Sequence, residues 1–319
     1  MSDLDSPAAG AATGTDARAV TAVAKTRVEE TAEPELETAT ALDEEAPAPK
    51  KKLGWFFWFC VAWVVIVILA AALADVLPLQ DPTYIGISQN SGPSLAHWLG
   101  TDDLGRDIFS RLVHGAYVSV VVGFGSIAIG LAIGGTLGMI SGFRRGLTDT
   151  IINAGSYVLL AFPALVALIA IVSFWGHQLW KITIVIGIFS APLLFRVIRA
   201  ATLPVATREF VLAARALGAS DRRVLWREVF PNIAPAVVSF GLIGVATVIV
   251  LEGSLAFLGI SVNPQIPSWG NMLNEGRSNL TTNPWITLWP ALAMFLFLLA
   301  LNLMGDRLRQ HFDVTEVKL

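Results

Sequence analysis

The sequence predicts an all-α membrane protein with six transmembrane helices and both termini in the cytoplasm. Three observations carry that prediction. Of 319 residues, 54% are hydrophobic and only 15% are charged, where a soluble domain carries about 25% charged residues. The apolar residues gather in uncharged runs close to the ~20 residues that cross a hydrocarbon core. Basic residues concentrate in alternate connections between those runs, as the positive-inside rule requires.

The runs are taken in chain order. Trp55 to Ala74 is uncharged and follows Lys50, Lys51 and Lys52. Ala72-Leu73-Ala74 resembles a signal cleavage site, but the run is too long and starts too late for a signal peptide, so an uncleaved span is expected. Further spans are expected from Ala116 to about Ile140, Ile151 to about Phe174, Ile182 to Ala200, Ile233 to Leu251 and Trp285 to Met304. The fourth is the weakest, because Arg196 and Arg199 shorten it. Lys50 to Lys52 place the amino terminus inside, and six crossings return the carboxyl terminus inside, beside Arg307 and Arg309. Gly130, Gly134, Gly138 and Gly142 fall on one face of the second span, a pattern that lets another helix backbone approach.

Residues 1–49 differ from the rest. They hold eleven Asp and Glu against three Lys and Arg, a net of −8; the remaining nineteen basic and fourteen acidic residues leave +5. Without aromatic residues this stretch cannot bury enough apolar surface to offset its ordering entropy, and a disordered cytoplasmic tail is expected. The other divisions expected are residues 50–115 (first span and outside loop), 116–305 (a five-helix core with a loop at 201–232) and 306–319 (a cytoplasmic tail). A single cysteine, Cys60, excludes an internal disulfide, and the four histidines show no metal-ligand spacing.

The loop between the fourth and fifth spans is a charged island, Glu209 to Asn232. Thr207 is expected to cap a short helix with Glu209 in its first turn. Gly218 suits a left-handed helix end. Ser220 and Asp221 begin a second short helix that Pro231 is expected to stop. Phe210, Ala214 and Leu217 share one side by spacing. Such a surface fits either anionic lipid or a soluble partner protein.

These residues also carry a family resemblance. Glu209, Ala213, Ala214, Arg215 and Gly218, followed by Pro231-Asn232, resemble the "EAA" loop of ABC importer permeases. His97-Trp98-Leu99-Gly100-Thr101-Asp102-Asp103 through Leu112 is similar to the segment preceding the second span in permeases of the dipeptide, oligopeptide and nickel group. Glu252 to Gly259, Pro267 to Leu273, and Asn302 to Arg309 resemble three further segments of that group. The likeness covers about Lys51 to Asp313 and is greatest to the second, C-type subunit; Tyr117 stands where a basic residue is commoner.

The resemblance implies the type I ABC importer permease fold, with the island as a coupling helix docked on a cytoplasmic ATPase. Glu209, Phe210, Ala213, Ala214, Arg215, Leu217, Gly218, Ala219, Asp221 and Arg222 would make that surface. It implies a second homologous permease, one or two ATPase subunits, a substrate-binding protein outside and surrounding lipid as partners, in the cell membrane of a prokaryote, and no nucleic acid. No Gly-rich phosphate loop ending in Gly-Lys-Ser/Thr is present, so ATP and magnesium belong to the partner ATPases, this chain binds no cofactor and it is not an enzyme. The expected function is one half of an ATP-driven peptide import pathway. Nickel or another small cargo of the same group is the alternative. A secondary transporter is the rival class, and only Glu252 hints at its intramembrane charges.

Two outer features remain. Asp102, Asp103, Arg106 and Asp107 crowd six positions. They read as a self-satisfied knot, with Asp102 capping the turn, Gly105 at positive φ and Arg106 paired with Asp107 or Asp103, or as a lid at the outer gate facing the binding protein. A calcium site has no supporting ligand pattern. Glu252 interrupts an otherwise uncharged stretch and either faces the pathway or pairs with Arg106 or Arg111.

Overall fold

The computed structural model describes residues 53–313; the acidic stretch 1–49 lies outside them. Nine helices form among the described residues. They are α1 (Trp55–Ala72), α2 (Ile108–Arg144), α3 (Gly146–Ala161), α4 (Ala164–Trp175), α5 (Leu179–Val205), α6 (Glu209–Ala216), α7 (Asp221–Phe257), α8 (Trp269–Gly276) and α9 (Trp285–Asp313). Five are long and apolar enough to cross a membrane, and a sixth span arises if α3 and α4 count as one.

That pair corrects the expected third span. α3 and α4 meet at 79°. Pro163 disfavours the helical conformation at the residue before it, and Phe162 is extended at φ −81°, ψ 132°. Except for α1, the other spans are longer than their apolar runs. α2 begins at Ile108, because Asp107 accepts the Ser110 N–H at 2.7 Å and caps it. α9 continues to Asp313, so the expected tail from 306 is helical over most of its described part.

A second correction concerns the island. Pro231 does not end a short helix: α7 runs unbroken from Asp221 into the fifth span. A π-helical turn at Leu225–Val229 precedes the proline. Such a turn rearranges the i→i−4 ladder locally, at the place where Pro231 has no N–H to give. A second π turn, Leu131–Gly135, lies in α2.

The core is built on α2, α5 and α7, with α1 and α9 packed outside them. α2 and α5 meet along the glycine face. A Cβ at Gly138 would lie 2.7 Å from the Phe195 carbonyl oxygen, and one at Gly134 would overlap that of Ala191. The stripe therefore serves close helix packing. Bidentate Arg199–Asp149 contacts at 2.6 and 2.7 Å join α5 to α3. Arg199 was read as a defect in the fourth span; it is an interhelical clamp. Trp55, Trp58, Phe59 and Ile66 on α1 point outward, as side chains against lipid do.

Candidate functional site

One end of the bundle carries the island. α6 is an eight-residue helix laid across the ends of α2 and α5. Val211 is fully buried and packs with Met139, Phe143, Ile198, Val205, Val224 and Val229, while Ala214 and Ala219 lie at the edge of the same cluster. Burying one such valine stabilises by about 1.5–3 kcal/mol. The helix ends in a complete Schellman turn. Gly218 N–H donates to Arg215 O at 3.0 Å, and Ala219 N–H donates to Ala214 O at 3.1 Å. Gly218 holds φ +81°, which glycine adopts at no steric cost.

Thr207 is not the cap. Its hydroxyl donates back to Pro204 O at 2.9 Å, and Arg208 takes the N-cap position without a side-chain bond. The predicted face also shifts by one residue. Ala214 turns partly inward, and the exposed face carries Glu209, Phe210, Leu212, Ala213 and Leu217, with Leu217 90% exposed. Asp221 anchors the loop to the core: Arg144 at the end of α2 lies 3.6 Å from it and Arg215 3.8 Å. Arg215 also lies over the Phe143 ring at 5.2 Å. A force applied to α6 thus reaches α2, α5 and α7 directly.

The opposite end holds the outer polar cluster. Asp102 Oδ1 accepts from the Leu104 and Arg106 N–H groups at 2.9 and 2.8 Å, and Oδ2 accepts from Arg106 Nε at 2.6 Å. Gly105 adopts φ +74°. Arg106 therefore pairs with Asp102, not with Asp103 or Asp107. Asp107 instead caps α2 and meets His97 Nδ1 at 3.0 Å. Asp103 forms no ion pair among the described residues.

The sequence reading missed the second half of the cluster. Glu275 Oε2, on α8, accepts from Arg106 at 2.8 Å and from Arg111 at 2.7 Å. Burial pushes the Glu275 carboxyl above its ordinary pKa, against the downward pull of Arg111 and Arg106. Asn283 ties the next loop in by donating to Thr101 O at 3.2 Å. One signal was available: Glu275 is the sole acidic residue between 253 and 305.

Glu252 takes neither predicted position. It is fully buried within the chain, and Oε1 accepts the Ser261 hydroxyl at 2.8 Å. Ser261 O in turn meets His177 Nδ1 at 2.8 Å. Arg106 and Arg111 are taken by Glu275, which removes the predicted pairing. Glu252 is a node between α7, the segment after it and the α4–α5 connection. Among the described residues no group of three His, Cys, Asp or Glu could hold a metal ion.

An all-helical set of apolar spans, with a short helical loop packed against their ends, defines a multi-span membrane protein. The chain belongs to the family described as binding-protein-dependent transport system inner membrane components, whose model matches residues 134–314. It is 39% identical over 253 residues to the glutathione transport system permease protein GsiD of Pectobacterium atrosepticum, covering 79% of this chain and 84% of the relative. It is 40% identical over 256 residues to GsiD of Escherichia coli O157:H7 and of Shigella sonnei, covering 80% of this chain and 84% of each. The fold is similar to a chain of the inward-facing MetNI methionine ABC transporter, with TM-score 0.53 and 19% identity, over 66% of this chain and 97% of that chain. The chain is accordingly an ABC importer permease, a non-catalytic membrane subunit.

Proposed function

We propose that this chain is one of two homologous permease subunits of an ATP-driven peptide importer, and that Glu209–Arg222 is its docking surface for a cytoplasmic ATPase. The observation that carries the reading is the seating of α6. Val211 fastens it to the spans, while Phe210, Ala213 and Leu217 lie on its exposed side. ATP binding would draw two ATPases together and pull the α6 helices with them. The α2–α5–α7 unit would follow as a rigid body and turn the pathway outward. Arginines 144, 145, 208, 215, 222, 223 and 227 at this end support its placement in the cytoplasm, with both termini on the same side. The outer cluster then faces the substrate-binding protein.

Short peptides are the cargo class favoured by the GsiD relatives, because glutathione is itself a tripeptide. Co-purification of the ATPase with the full permease complex tests the docking surface. Leu217→Glu and Ala213→Glu alter only outward positions and should abolish ATPase retention while the complex still assembles. Retention of the ATPase by both variants would refute the assignment. Uptake of labelled glutathione and of a tripeptide series by the wild-type transporter reads the cargo; uptake of neither would remove the peptide class.

A further inference from the structure

Two guanidiniums at the loop end, Arg223 and Arg227, lie beyond the docking surface just described, and Arg222 stands at its edge. Arg222, Arg223 and Arg227 line an open hollow with Ser220 and Trp226. Among the described residues, no carboxylate pairs with any of the three, since Asp221 is taken by Arg144 and Arg215. Glu228, on the same turn, forms no ion pair there either. Arg223 and Arg227 stand one turn apart on α7, where like charges repel. An anion between them removes that repulsion.

A second cavity adjoins the first and shares Arg222 and Trp226 with it. It is mainly apolar, about 290 Å³, and lined by Met139 and Ile140 of α2 and Leu225 of α7, with Thr136 and the Arg144–Asp221 ion pair beside them. That volume lies near the lower end of the roughly 300–1,000 Å³ typical of small-ligand pockets. The level along the bundle also fits. The charges end at Glu228, and α7 carries no further charged residue until Glu252. Trp226, half exposed and 5.3 Å from the Phe230 ring, stands where that apolar run begins. Tryptophan is enriched at this membrane depth. A cationic hollow joined to an apolar cavity at the headgroup level matches one chemistry, an amphiphile with an anionic head.

We propose that the two hollows form a site for one anionic phospholipid, its phosphate among Arg222, Arg223 and Arg227 and its first methylenes against Met139, Ile140 and Leu225. The site borders the π turn Leu225–Val229, so its occupant would brace the junction between loop and span. The inference does not depend on ATPase docking at α6.

The test is native mass spectrometry of the full chain with its partner permease, without ATPase, after exchange into mixed phosphatidylglycerol and phosphatidylcholine. The wild type should retain phosphatidylglycerol selectively. Near a membrane surface each arginine contributes about 1 kcal/mol, or roughly fivefold, so R223Q/R227Q should lose about 25-fold in selectivity, while R223K/R227K keeps most of it. Met139→Trp, which fills the apolar cavity, should lower lipid retention with the arginines intact. Unchanged selectivity in R223Q/R227Q would overturn the proposal. So would displacement of the lipid by millimolar inorganic phosphate, which identifies a free-anion site. A gain of phosphatidylglycerol only after deletion of residues 1–49 would also overturn it, by showing that the acidic segment fills the hollow.

Discussion

Replacing Glu275 with alanine is the sharpest probe of the outer cluster. The substitution removes the one oxygen that accepts from both Arg106 and Arg111. Arg111 is 1% exposed and keeps a 3.7 Å approach to Asp102 and a long 3.4 Å bond to Pro82 O. Removing one partner of a buried ion pair costs about 3–5 kcal/mol, because the remaining charge is left uncompensated. The Glu275 side chain is 23% exposed, which places the cost near the lower end, about 3 kcal/mol. At about 1.4 kcal/mol per factor of ten, local opening of the 99–111 segment should become roughly a hundredfold more frequent. Hydrogen exchange at the Leu104 and Arg106 amides, both bonded to Asp102, reads that opening. Glu275→Gln retains an oxygen acceptor for the two arginines but no charge, so its exchange rate should fall between those of the wild type and Glu275→Ala. Less than threefold faster exchange in Glu275→Ala would refute the idea that Glu275 holds the outer segment closed.

Other outcomes follow from the same geometry. Because burial raises the folded pKa of Glu275, the folded state takes up its proton first as pH falls. The resulting stability is complete below the ordinary glutamate range and is lost as pH rises through the raised value. Thermal unfolding should therefore show a carboxylate-linked gain as pH falls through the raised value toward the ordinary glutamate range, a gain that Glu275→Gln lacks. Ser261→Ala leaves buried Glu252 without its hydroxyl donor and should lower stability by about 1–3 kcal/mol in chemical denaturation. Gly134→Leu drives a side chain into the Ala191 carbonyl and should cost about 1–3 kcal/mol or more, read as loss of monodisperse protein in detergent. Asp107→Ala removes the α2 cap and the His97 contact, with an expected loss of about 0.5–2 kcal/mol.

Much of the architecture was legible in the sequence because bilayer thickness forces it there. Runs of about twenty apolar residues must be helices, since lipid offers backbone groups no partner. The glycine spacing in α2 announced a close helix contact, and Gly218 announced the left-handed end of α6. These are local signals, set by hydrophobic length and by single-residue conformational preference. What the sequence left open was pairing. Nothing in the linear order of Arg106, Arg111, Glu252 and Glu275 says which carboxylate meets which guanidinium. Residues 164 positions apart, Arg111 and Glu275, come together only because α8 folds back beside the start of α2. The expected unbroken third span and the expected stop at Pro231 both fail for a related reason. A proline has the same local chemistry at both places, and the surrounding packing decides whether the helix breaks or takes up a π turn. Hydrophobic length thus determined the spans, and tertiary packing decided the ion pairs, the inward side of α6 and the fate of each proline.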